Sequence, residues 1–366
     1  MYQLNNYFDG VEMRFPPLPT ESKKQINRAG KLIGEGITSE TELAQAVDLV
    51  NRWRACHSYP INTFQATLRT KLRKYPGEVI VAQRLKRMPT IIDKLQRYPA
   101  MQLTTMQDIG GIRAILNSIA DVDQLVNEYR DGSRFLHELV DERDYISSPR
   151  DEDGYRSCHL VYKYRNPLHP QYDGLRVELQ IRTRLQHIWA TAVETMGTFL
   201  GQALKSRQGD QAWLDFFAIT SSAFAYHENC PPIPRFGHLT REETCNAVAQ
   251  AEAGIGALDK MHMFSIAVNQ ISGDHGSNQA YTYHLIVLDS LNRNATIYAF
   301  GRENYEQALQ EFAHAEEQAA QGAKIEPVLV SAGRIDILRR AYPNFFLDIE
   351  EFSQLVSEIV KPASEN

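Results

Sequence analysis

The segment VELQIRT, residues 177–183, alternates polar and apolar side chains in a way that allows chemistry on one face of a strand. Successive side chains of an extended strand point to opposite faces, so Glu178, Gln180 and Arg182 share a face and the apolar residues occupy the other. A carboxylate, an amide and a guanidinium in one row are costly on an apolar sheet unless they meet a ligand or partner charges. The row indicates a polar binding surface; a solvent-exposed outer face of an antiparallel sheet is the alternative explanation.

A second carboxylate, Asp108, stands at the start of the apolar segment MQDIGGIRAIL, which also contains Arg113. If Asp108 and Glu178 lie on neighbouring strands, they form an oxygen-rich site of the kind that Mg²⁺ prefers, with water and substrate phosphates as its other ligands. Strict alternation places Asp108 and Arg113 on opposite faces, and the two glycines between them could supply a bulge or loop that reconciles them. A turn residue at the entrance to a strand is the alternative role for Asp108.

Cations are concentrated in RLKRMPTIIDKL, where Arg84, Lys86 and Lys94 converge if the loop containing Pro89 turns into a helix at Thr90. Three converging cations suit a triphosphate, and a guanidinium plane can also stack on a base. A solvated surface is the alternative explanation for a basic segment of this kind.

The turn DGYRS places an aromatic ring beside a cation. A tyrosine that follows a glycine at a loop-to-strand junction offers a platform for a nucleobase, and the adjacent guanidinium can reach a phosphate. Tyr155 and Arg156 are therefore candidate nucleotide-binding residues. A tyrosine simply packed at a turn is the alternative.

Periodicity predicts the elements that must position these residues. The first third of the chain predicts a helical scaffold that includes SKKQINRAGKLIGEG, SETELAQAVDLVNRWRA and INTFQATLRTKLRK. Three segments rich in β-branched residues predict strands: GIRAILNSI, SCHLVYKY and LRVELQIRT. Further helices are predicted in DVDQLVNEYR, RLQHIWATAVETM and QAWLDFFAITSSAFAYH.

The segment NCPPIPRFGH, with three prolines and a glycine, predicts a linker and divides the chain into domains 1–235 and 236–366. After it we predict a helix in REETCNAVAQAEAGIGAL, strands in MHMFSIAVNQI, YTYHLIVLDS and NATIYAFG, a helix in YEQALQEFAHAEEQAAQ, a strand in KIEPVLVS and two short terminal helices. This order is typical of a small α+β module whose sheet packs against the long helix.

Composition narrows the class of protein. The chain has 366 residues, of which 43% are hydrophobic and 23% charged, which excludes a largely disordered or fibrous chain. Its four cysteines lie far apart and include no Cys-x-x-Cys pair, so neither a zinc knuckle nor a disulfide framework is indicated. The net charge of −6 means that a local basic cluster must hold any polyanion. Without a long apolar segment or a secretion signal, the protein is expected to be cytoplasmic and not bound to a membrane.

The order of these motifs resembles the synthetase domain of the RelA/SpoT alarmone synthetases, over roughly residues 80 to 200. The family's Arg-x-Lys and Ser-Ile-x-x-Lys are matched by Arg84, Lys86, Thr90, Ile91 and Lys94, with Thr in place of Ser. Its Asp-x-x-Gly-x-Arg and Glu-x-Gln-Ile-Arg-Thr are matched by Asp108, Gly111, Arg113, Glu178, Gln180, Ile181, Arg182 and Thr183. Its Asp-Tyr-Ile, Pro-Lys and Gly-Tyr-Arg-Ser-x-His are matched by Asp144, Tyr145, Ile146, Pro149, Arg150, Gly154, Tyr155, Arg156, Ser157 and His159, with Arg150 in place of Lys.

The resemblance implies an α+β fold: a nucleotidyltransferase-like mixed β-sheet flanked by helices, to which a small C-terminal α+β domain is added. It implies that Asp108 and Glu178 are the catalytic carboxylates and hold Mg²⁺. It implies ATP binding by Arg84, Lys86, Lys94 and Arg113, in which the arginines sandwich the adenine and the lysines neutralise phosphates. It implies acceptor binding by Tyr155, Arg156, His159, Gln180 and Arg182.

One motif departs from the family pattern. Many small synthetases carry Trp-Ala-x-x-Glu-His after the last strand, whereas Trp189 and Ala190 are followed by a glutamate one position late, Glu194, and then by Thr195. This helix is a candidate for orienting the acceptor differently.

The activity that the resemblance implies is that of a GTP diphosphokinase-type pyrophosphotransferase. It would move pyrophosphate from ATP to the 3′-hydroxyl of GDP or GTP, making (p)ppGpp and AMP. The alternative is a toxin-like or phage-defence relative that acts on the 3′ end of tRNA or on adenosine nucleotides and is regulated by its C-terminal domain. Basic residues of LRTKLRK suit either a tRNA acceptor stem or an exposed helix face. A protein regulator, a homo-oligomer and a catalytically silent nucleotide-binding module are further hypotheses.

Overall fold

The computed structural model describes residues 7–8, 11–12, 15–36, 39–132, 135–200, 210–273, 281–289, 291–292, 294–323, 325–331 and 345–361. The chain divides into two compact units. The first unit comprises Met1–Tyr145 and Ser157–Arg184, and the second comprises Ile146–Arg156 and Leu185–Asn366.

Among its described residues, the first unit contains five α-helices, a short strand pair before them and a five-stranded sheet. Its helices are α1 (Lys23–Glu35), α2 (Glu40–Ala55), α3 (Ser58–Leu72), α4 (Met88–Arg97) and α5 (Ile119–Arg130). Its strands are a short antiparallel pair, β1 (Tyr7–Phe8) and β2 (Val11–Glu12), and then β3 (Ile80–Leu85), β4 (Gly110–Leu116), β5 (Glu138–Asp144), β6 (Cys158–Lys163) and β7 (Arg176–Thr183). The predicted helical scaffold is confirmed, and Ser22 forms a capping box with Gln25 at the start of α1.

Strands β3 to β7 form a five-stranded sheet in the order β3-β4-β7-β6-β5. The pair β4–β7 is parallel and the other pairs are antiparallel. The predicted mixed sheet flanked by helices is confirmed. The sequence analysis did not predict β3 or β5, because both are edge strands whose side chains are mostly exposed and therefore lack a regular apolar alternation.

One face of this sheet forms the core of the first unit. Val177, Leu179 and Ile181 are fully buried on that face, as the alternation in β7 predicts. Helices α3 and α5 pack there, and the Phe64 ring of α3 lies 5.7 Å from the Tyr162 ring of β6. The opposite face carries the polar side chains.

The second unit combines a helical bundle with a small sheet. Its helices are α6 (Arg184–Phe199, whose first residue closes the first unit), α7 (Gln211–His227), α8 (Arg241–Ile255), α9 (Ala257–Gly273), α10 (Tyr305–Ala320) and α11 (Phe345–Val360). Its strands β8 (Tyr281–Asp289), β9 (Asn294–Gly301) and β10 (Ile325–Ser331) form an antiparallel sheet in the order β10-β8-β9. No helix within the described ranges combines the length and apolar character that crossing a membrane requires.

Three secondary-structure predictions for the second unit are wrong. The segment MHMFSIAVNQI, predicted as a strand, is part of α9, where the buried residues Met261, Phe264 and Ala267 recur at helical spacing. The helix predicted over REETCNAVAQAEAGIGAL is two helices, because Gly256 adopts φ +61° and ends α8. The C-terminal helix α11 has sixteen residues and is not short. Residues 332–344, where the other predicted terminal helix would fall, lie outside the described residues.

The boundary predicted after residue 235 lies within the second unit. There, α7 packs against α8, and Tyr226 Oη donates to Leu239 O at 2.8 Å across the predicted linker. The Phe199 ring of α6 stacks on Phe264 of α9 at 4.6 Å. The division into domains 1–235 and 236–366 stays a prediction.

Candidate functional site

The polar face of the five-stranded sheet joins side chains from three adjacent strands. Pairing sets Arg113 opposite Gln180 and Gln180 opposite His159, in a row across β4, β7 and β6. Arg113 Nη2 donates to Gln180 Oε1 at 3.3 Å, and Gln180 Nε2 donates to Glu178 Oε2 at 2.8 Å. The other Glu178 oxygen lies 3.2 Å from His159 Nδ1. Four of the predicted site residues therefore form one connected network.

Glu178 is ionised although it is mostly buried. Burial acts to raise the pKa of the carboxyl, but the charge of His159 and its hydrogen bond outweigh burial and hold the pKa below its usual value. The negative charge of Asp108 acts in the opposite direction and raises the pKa of Glu178. The two carboxylates are therefore within electrostatic reach of each other, and their shared role in a metal site stays a prediction.

Asp108 lies between two lysines. Lys86 Nζ donates to Asp108 Oδ2 at 2.7 Å, and Lys94 Nζ donates to Asp108 Oδ1 at 3.0 Å. Burial opposes ionisation, but the two ammonium groups outweigh it and lower the pKa of the Asp108 carboxyl from 3.8 to about 2. The three side chains form a compact charged cluster in which the acid is fully ionised at neutral pH.

The chain reaches this arrangement without a bulge in β4. Asp108 lies in a turn, two residues before the strand begins at Gly110. The pairing of β4 with β3 and with β7 is regular from end to end. The predicted conflict between Asp108 and Arg113 does not arise, because alternation governs only the residues inside the strand; a turn, and not a bulge, directs Asp108 toward the lysines.

The remaining cations differ in exposure. Arg84 is exposed on β3 and pairs in register with Gly111. The pKa of Lys86 is lowered, chiefly by burial and to a lesser extent by the charges of Lys94 and Arg84, while Asp108 opposes the shift. Arg84 is thus close enough to Lys86 to contribute to one positive region. Arg182 is only 1% exposed, unlike its strand neighbours Glu178 and Gln180, and its predicted role in acceptor binding stays a prediction.

The donor set suits a magnesium ion. Within the described part of the chain, no group of three or more histidine, cysteine or acidic side chains is arranged to hold a metal ion. The pair Asp108 and Glu178 offers two ionised carboxylates, and Mg²⁺ is commonly held by one or two carboxylates together with water and substrate phosphates. The chemistry of these two residues suits the predicted ion, and in the structure the Asp108 oxygens are bonded to Lys86 and Lys94.

Tyr155 and Arg156 belong to the second unit. Tyr155 is 6% exposed, and the Arg150 guanidinium lies over its ring at 4.6 Å. Arg156 is 3% exposed and donates to Ser221 Oγ at 3.1 Å, to Ile146 O at 3.2 Å and to Pro231 O at 2.8 Å. In the structure the Arg156 guanidinium therefore holds the fold of its turn. The acceptor-binding roles of both residues stay predictions.

Three residues near the site were given no role by the sequence analysis. The Tyr145 ring meets the His159 ring edge to face at 5.3 Å. Gln107 Nε2 donates to Asp141 Oδ2 at 3.0 Å. Tyr145 belongs to a motif that the sequence displays, but no local pattern signals the contact between Gln107 and Asp141, which are 34 residues apart.

Comparison with known protein families identifies the domain that contains the candidate site. Residues 83–197 match the family described as "Region found in RelA / SpoT proteins", and this range contains all the candidate site residues. This part of the chain is a RelA/SpoT-type domain. The residues of the network on the polar face and of the charged cluster at Asp108 all belong to the sequence motifs that resemble this family.

Relatives share the RelA/SpoT-type domain over part of their length. GTP pyrophosphokinase YjbM of Bacillus subtilis is 38% identical over 113 residues, which cover 30% of this chain and 52% of that protein. An uncharacterised protein of Mycobacterium tuberculosis is 33% identical over 194 residues, which cover 51% of this chain and 63% of that protein. The chain thus spans 52% of the length of the first relative and 63% of the length of the second. The structure of small alarmone synthetase 1 from Bacillus subtilis, bound to its product pppGpp, is similar at 26% identity and a TM-score of 0.39, covering 49% of this chain and 94% of that one.

Proposed function

We propose that the RelA/SpoT-type domain transfers pyrophosphate from ATP to the 3′-hydroxyl of GDP or GTP, giving (p)ppGpp and AMP. The observation that carries the proposal is the arrangement of two ionised carboxylates within electrostatic reach of each other: Asp108, bonded to Lys86 and Lys94, and Glu178, paired with His159. The proposal is also supported by the matched relative that is named a GTP pyrophosphokinase.

The chemistry fits these groups. In the transfer, the bond between the β-phosphorus of ATP and its bridging α,β-oxygen breaks, a bond from the acceptor 3′-oxygen to that phosphorus forms, AMP leaves, and the hydroxyl proton is released. Such a reaction needs alignment and charge compensation more than a covalent intermediate. Lys86 and Lys94 would neutralise ATP phosphates, and Glu178, held ionised beside His159, can accept the hydroxyl proton. Asp108 and Glu178 would hold Mg²⁺, which supplies further charge neutralisation when bound.

The substrate-binding roles implied by the resemblance are part of this proposal. Arg84 and Arg113 would bind the adenine. The acceptor side would be formed by Tyr155, His159, Gln180 and Arg182, and Arg156 would stabilise the turn that carries Tyr155. A regulatory role for the second unit and assembly into a homo-oligomer are proposed with them.

The acceptor decides between this function and its alternatives. Purified full-length protein is incubated with ATP labelled at the γ-phosphate and with GDP, GTP, ATP or tRNA in turn, with and without Mg²⁺. Label on GDP or GTP in a 1:1 ratio with AMP, and only when Mg²⁺ is present, is the expected result. Label confined to tRNA or to an adenosine nucleotide would replace the proposed acceptor, and no transfer to any acceptor would support a silent binding module. Light scattering of the same preparation measures the oligomeric state.

A further inference from the structure

The turn that carries Asp108 is held less firmly by the sheet than Glu178 is. Glu178 lies within β7, which is paired on both sides. Asp108 precedes β4, and strand pairing begins only at Gly110. A backbone hydrogen bond from Lys86 N to Ile109 O, 2.8 Å long, secures the end of the turn nearer the strand. Besides the contacts of its own side chain with Lys86 and Lys94, the position of Asp108 relative to Glu178 therefore depends on contacts made by the residues before it.

Gln107, the residue next to Asp108, makes such a contact with the far edge of the sheet. Its amide Nε2 donates to Asp141 Oδ2 at 3.0 Å. Asp141 lies on β5, and β7 and β6 separate β5 from β4, which corresponds to about 14 Å across the sheet at the usual strand spacing. Since Arg176 of β7 also donates to Thr105 O at 2.6 Å, the segment before β4 is tied to two strands other than its own.

The acceptor of this hydrogen bond is itself fixed. Asp141 Oδ1 accepts from the backbone N–H of Glu142 at 3.0 Å, and Arg143 Nη2 lies 3.1 Å from Asp141 Oδ2. The register of β5 shifts between Leu139 and Asp141, an irregularity of the kind that redirects a side chain. Asp141 then pairs with Val161, which pairs with Glu178, so Asp141 and Glu178 share a face of the sheet.

We infer that Gln107 is a positioning residue: its hydrogen bond to Asp141 fixes the Asp108 carboxylate relative to Glu178, and so sets the spacing of the two acids that would hold the metal ion. The inference rests on the proposed function and deepens it. Contacts of this outer kind change metal affinity or activity by roughly 10- to 100-fold when they are removed, because small misplacements of reacting groups are costly.

The chain offers a matched control for testing this role. Gln102 lies on the same connection and also makes a side-chain hydrogen bond, in which its Oε1 accepts from Asn27 Nδ2 at 3.2 Å, but that bond leads to helix α1 and not to the sheet. Gln107→Leu and Gln102→Leu therefore remove one hydrogen bond each from the same segment. Gln107 is only half-buried, while the neighbouring Met106 and Ile109 are the buried anchors of the turn and stay in place.

Two readouts separate positioning from stability. The first is the affinity of nucleotide-free protein for Mn²⁺, measured by electron paramagnetic resonance. The second is the division between kcat and KM in the transfer assay. Gln107→Leu is expected to weaken Mn²⁺ binding and to lower kcat by about tenfold each, with the KM for ATP unchanged, whereas Gln102→Leu leaves all three at their wild-type values. Wild-type Mn²⁺ affinity and kcat in Gln107→Leu, or equal losses in both variants, would overturn the inference.

If Gln107→Leu folds poorly, a second variant that changes the charge of residue 107 tests the same role. Gln107→Glu keeps the size of the side chain but sets two carboxylates against each other, and it should reproduce the loss. Adding Asp141→Asn restores a donor–acceptor pair in the reverse sense, and the double variant should recover most of the Mn²⁺ affinity; no recovery contradicts the inference. If the wild-type protein transfers pyrophosphate to no acceptor, the proposed function fails, while the Mn²⁺ measurements still decide the role of Gln107.

Discussion

His159 Nδ1 lies 3.2 Å from Glu178 Oε1, and this contact links neighbouring strands on the polar face of the sheet. Only 14% of the His159 side chain and 13% of the Glu178 side chain are exposed, so the interaction is weakly screened by solvent. Burial raises the pKa of the Glu178 carboxyl, and the charge and hydrogen bond of His159 lower it. The pair therefore favours the ionised form of the group proposed to accept the hydroxyl proton.

Replacing His159 should move the pH dependence of the reaction. His159→Gln keeps a hydrogen-bond donor but removes the charge, so burial is less opposed and the pKa of Glu178 rises. A base must be ionised to act, and a base with a higher pKa is lost to protonation at a higher pH. The acidic limb of the pH profile of kcat/KM should therefore move to higher pH. The exposed His238→Gln serves as the control, and an acidic limb that stays in place in His159→Gln would contradict the assignment of Glu178.

Asp108 and Glu178 should each be required for the transfer of pyrophosphate. Asp108→Asn and Glu178→Gln keep the size of each side chain but remove its charge, and each should raise the barrier to transfer by roughly 3 kcal/mol or more, which is about a hundredfold in kcat. Circular dichroism should show that both variants fold. Glu138→Gln, at an exposed carboxylate on β5, should keep the wild-type rate. Rates close to wild type in either site variant would remove that acid from the mechanism.

The predicted part of the site is the part that local patterns encode. Glu178 and Gln180 lie in β7, a strand paired on both sides and buried on one face, so the alternation of side chains leaves a single choice of face. Asp108 precedes its strand, where alternation has no meaning. For this reason alternation could not predict the direction of Asp108: of the predicted bulge or loop, the structure has a turn before β4 and no bulge within it.

The missed elements lack such patterns. β3 and β5 are edge strands without a buried side chain, so the alternation of buried and exposed residues that marks a half-buried strand is absent from them. The short apolar segment MHMFSIAVNQI of α9 is compatible with a strand or with a buried helix, and only tertiary packing decides between the two. The bond from Gln107 to Asp141 depends on the order of the strands in the sheet, which brings β5 and the turn before β4 together. The order of strands in a sheet cannot be deduced from a short stretch of neighbouring residues.

Asp108 should make stability depend on acid pH. Lys86 and Lys94 lower the pKa of its carboxyl, against burial, from 3.8 to about 2, a shift that corresponds to about 2 kcal/mol of stability. Because the folded state has the lower pKa, this contribution is complete above the unfolded pKa and is lost as the pH falls toward about 2. Urea unfolding should give wild type an advantage of about 2 kcal/mol over Asp108→Asn at pH 7, and the advantage should shrink below pH 4. An equal difference at pH 7 and pH 2.5 would be inconsistent with the lysine pairs.

Gly154 should resist replacement for two reasons. It adopts φ +76°, which disfavours any side chain, and an added Cβ would lie 2.8 Å from Ser221 Cβ and 2.7 Å from Ile233 Cδ1. Gly256 has a similar φ of +61° but nothing within 4 Å of an added Cβ. Gly256→Ala therefore measures backbone strain alone, about 1 kcal/mol, and Gly154→Ala should cost a further 1–3 kcal/mol or so through overpacking. Thermal unfolding compares the two, and equal costs would mean that the turn tolerates the added atom.

Arg156→Lys tests whether the second residue of the Tyr-Arg pair acts on the fold or on the acceptor. The guanidinium donates to Ser221 Oγ, to Ile146 O and to Pro231 O at 3.1, 3.2 and 2.8 Å. Lysine keeps the positive charge but cannot reproduce the geometry of the three guanidinium hydrogen bonds. Acceptors therefore lose their partners, which should lower the free energy of unfolding by about 2 kcal/mol or more. The melting temperature should fall, while the KM for the acceptor stays at its wild-type value below the melting transition.

Arg150→Lys is the matched control for that measurement, because an ammonium can still pair with Asp153, which Arg150 Nη2 contacts at 2.7 Å. It should melt closer to wild type than Arg156→Lys does. A raised acceptor KM with an unchanged melting temperature in Arg156→Lys would assign Arg156 directly to the acceptor phosphates, since its three hydrogen bonds to Ser221, Ile146 and Pro231 predict the opposite combination.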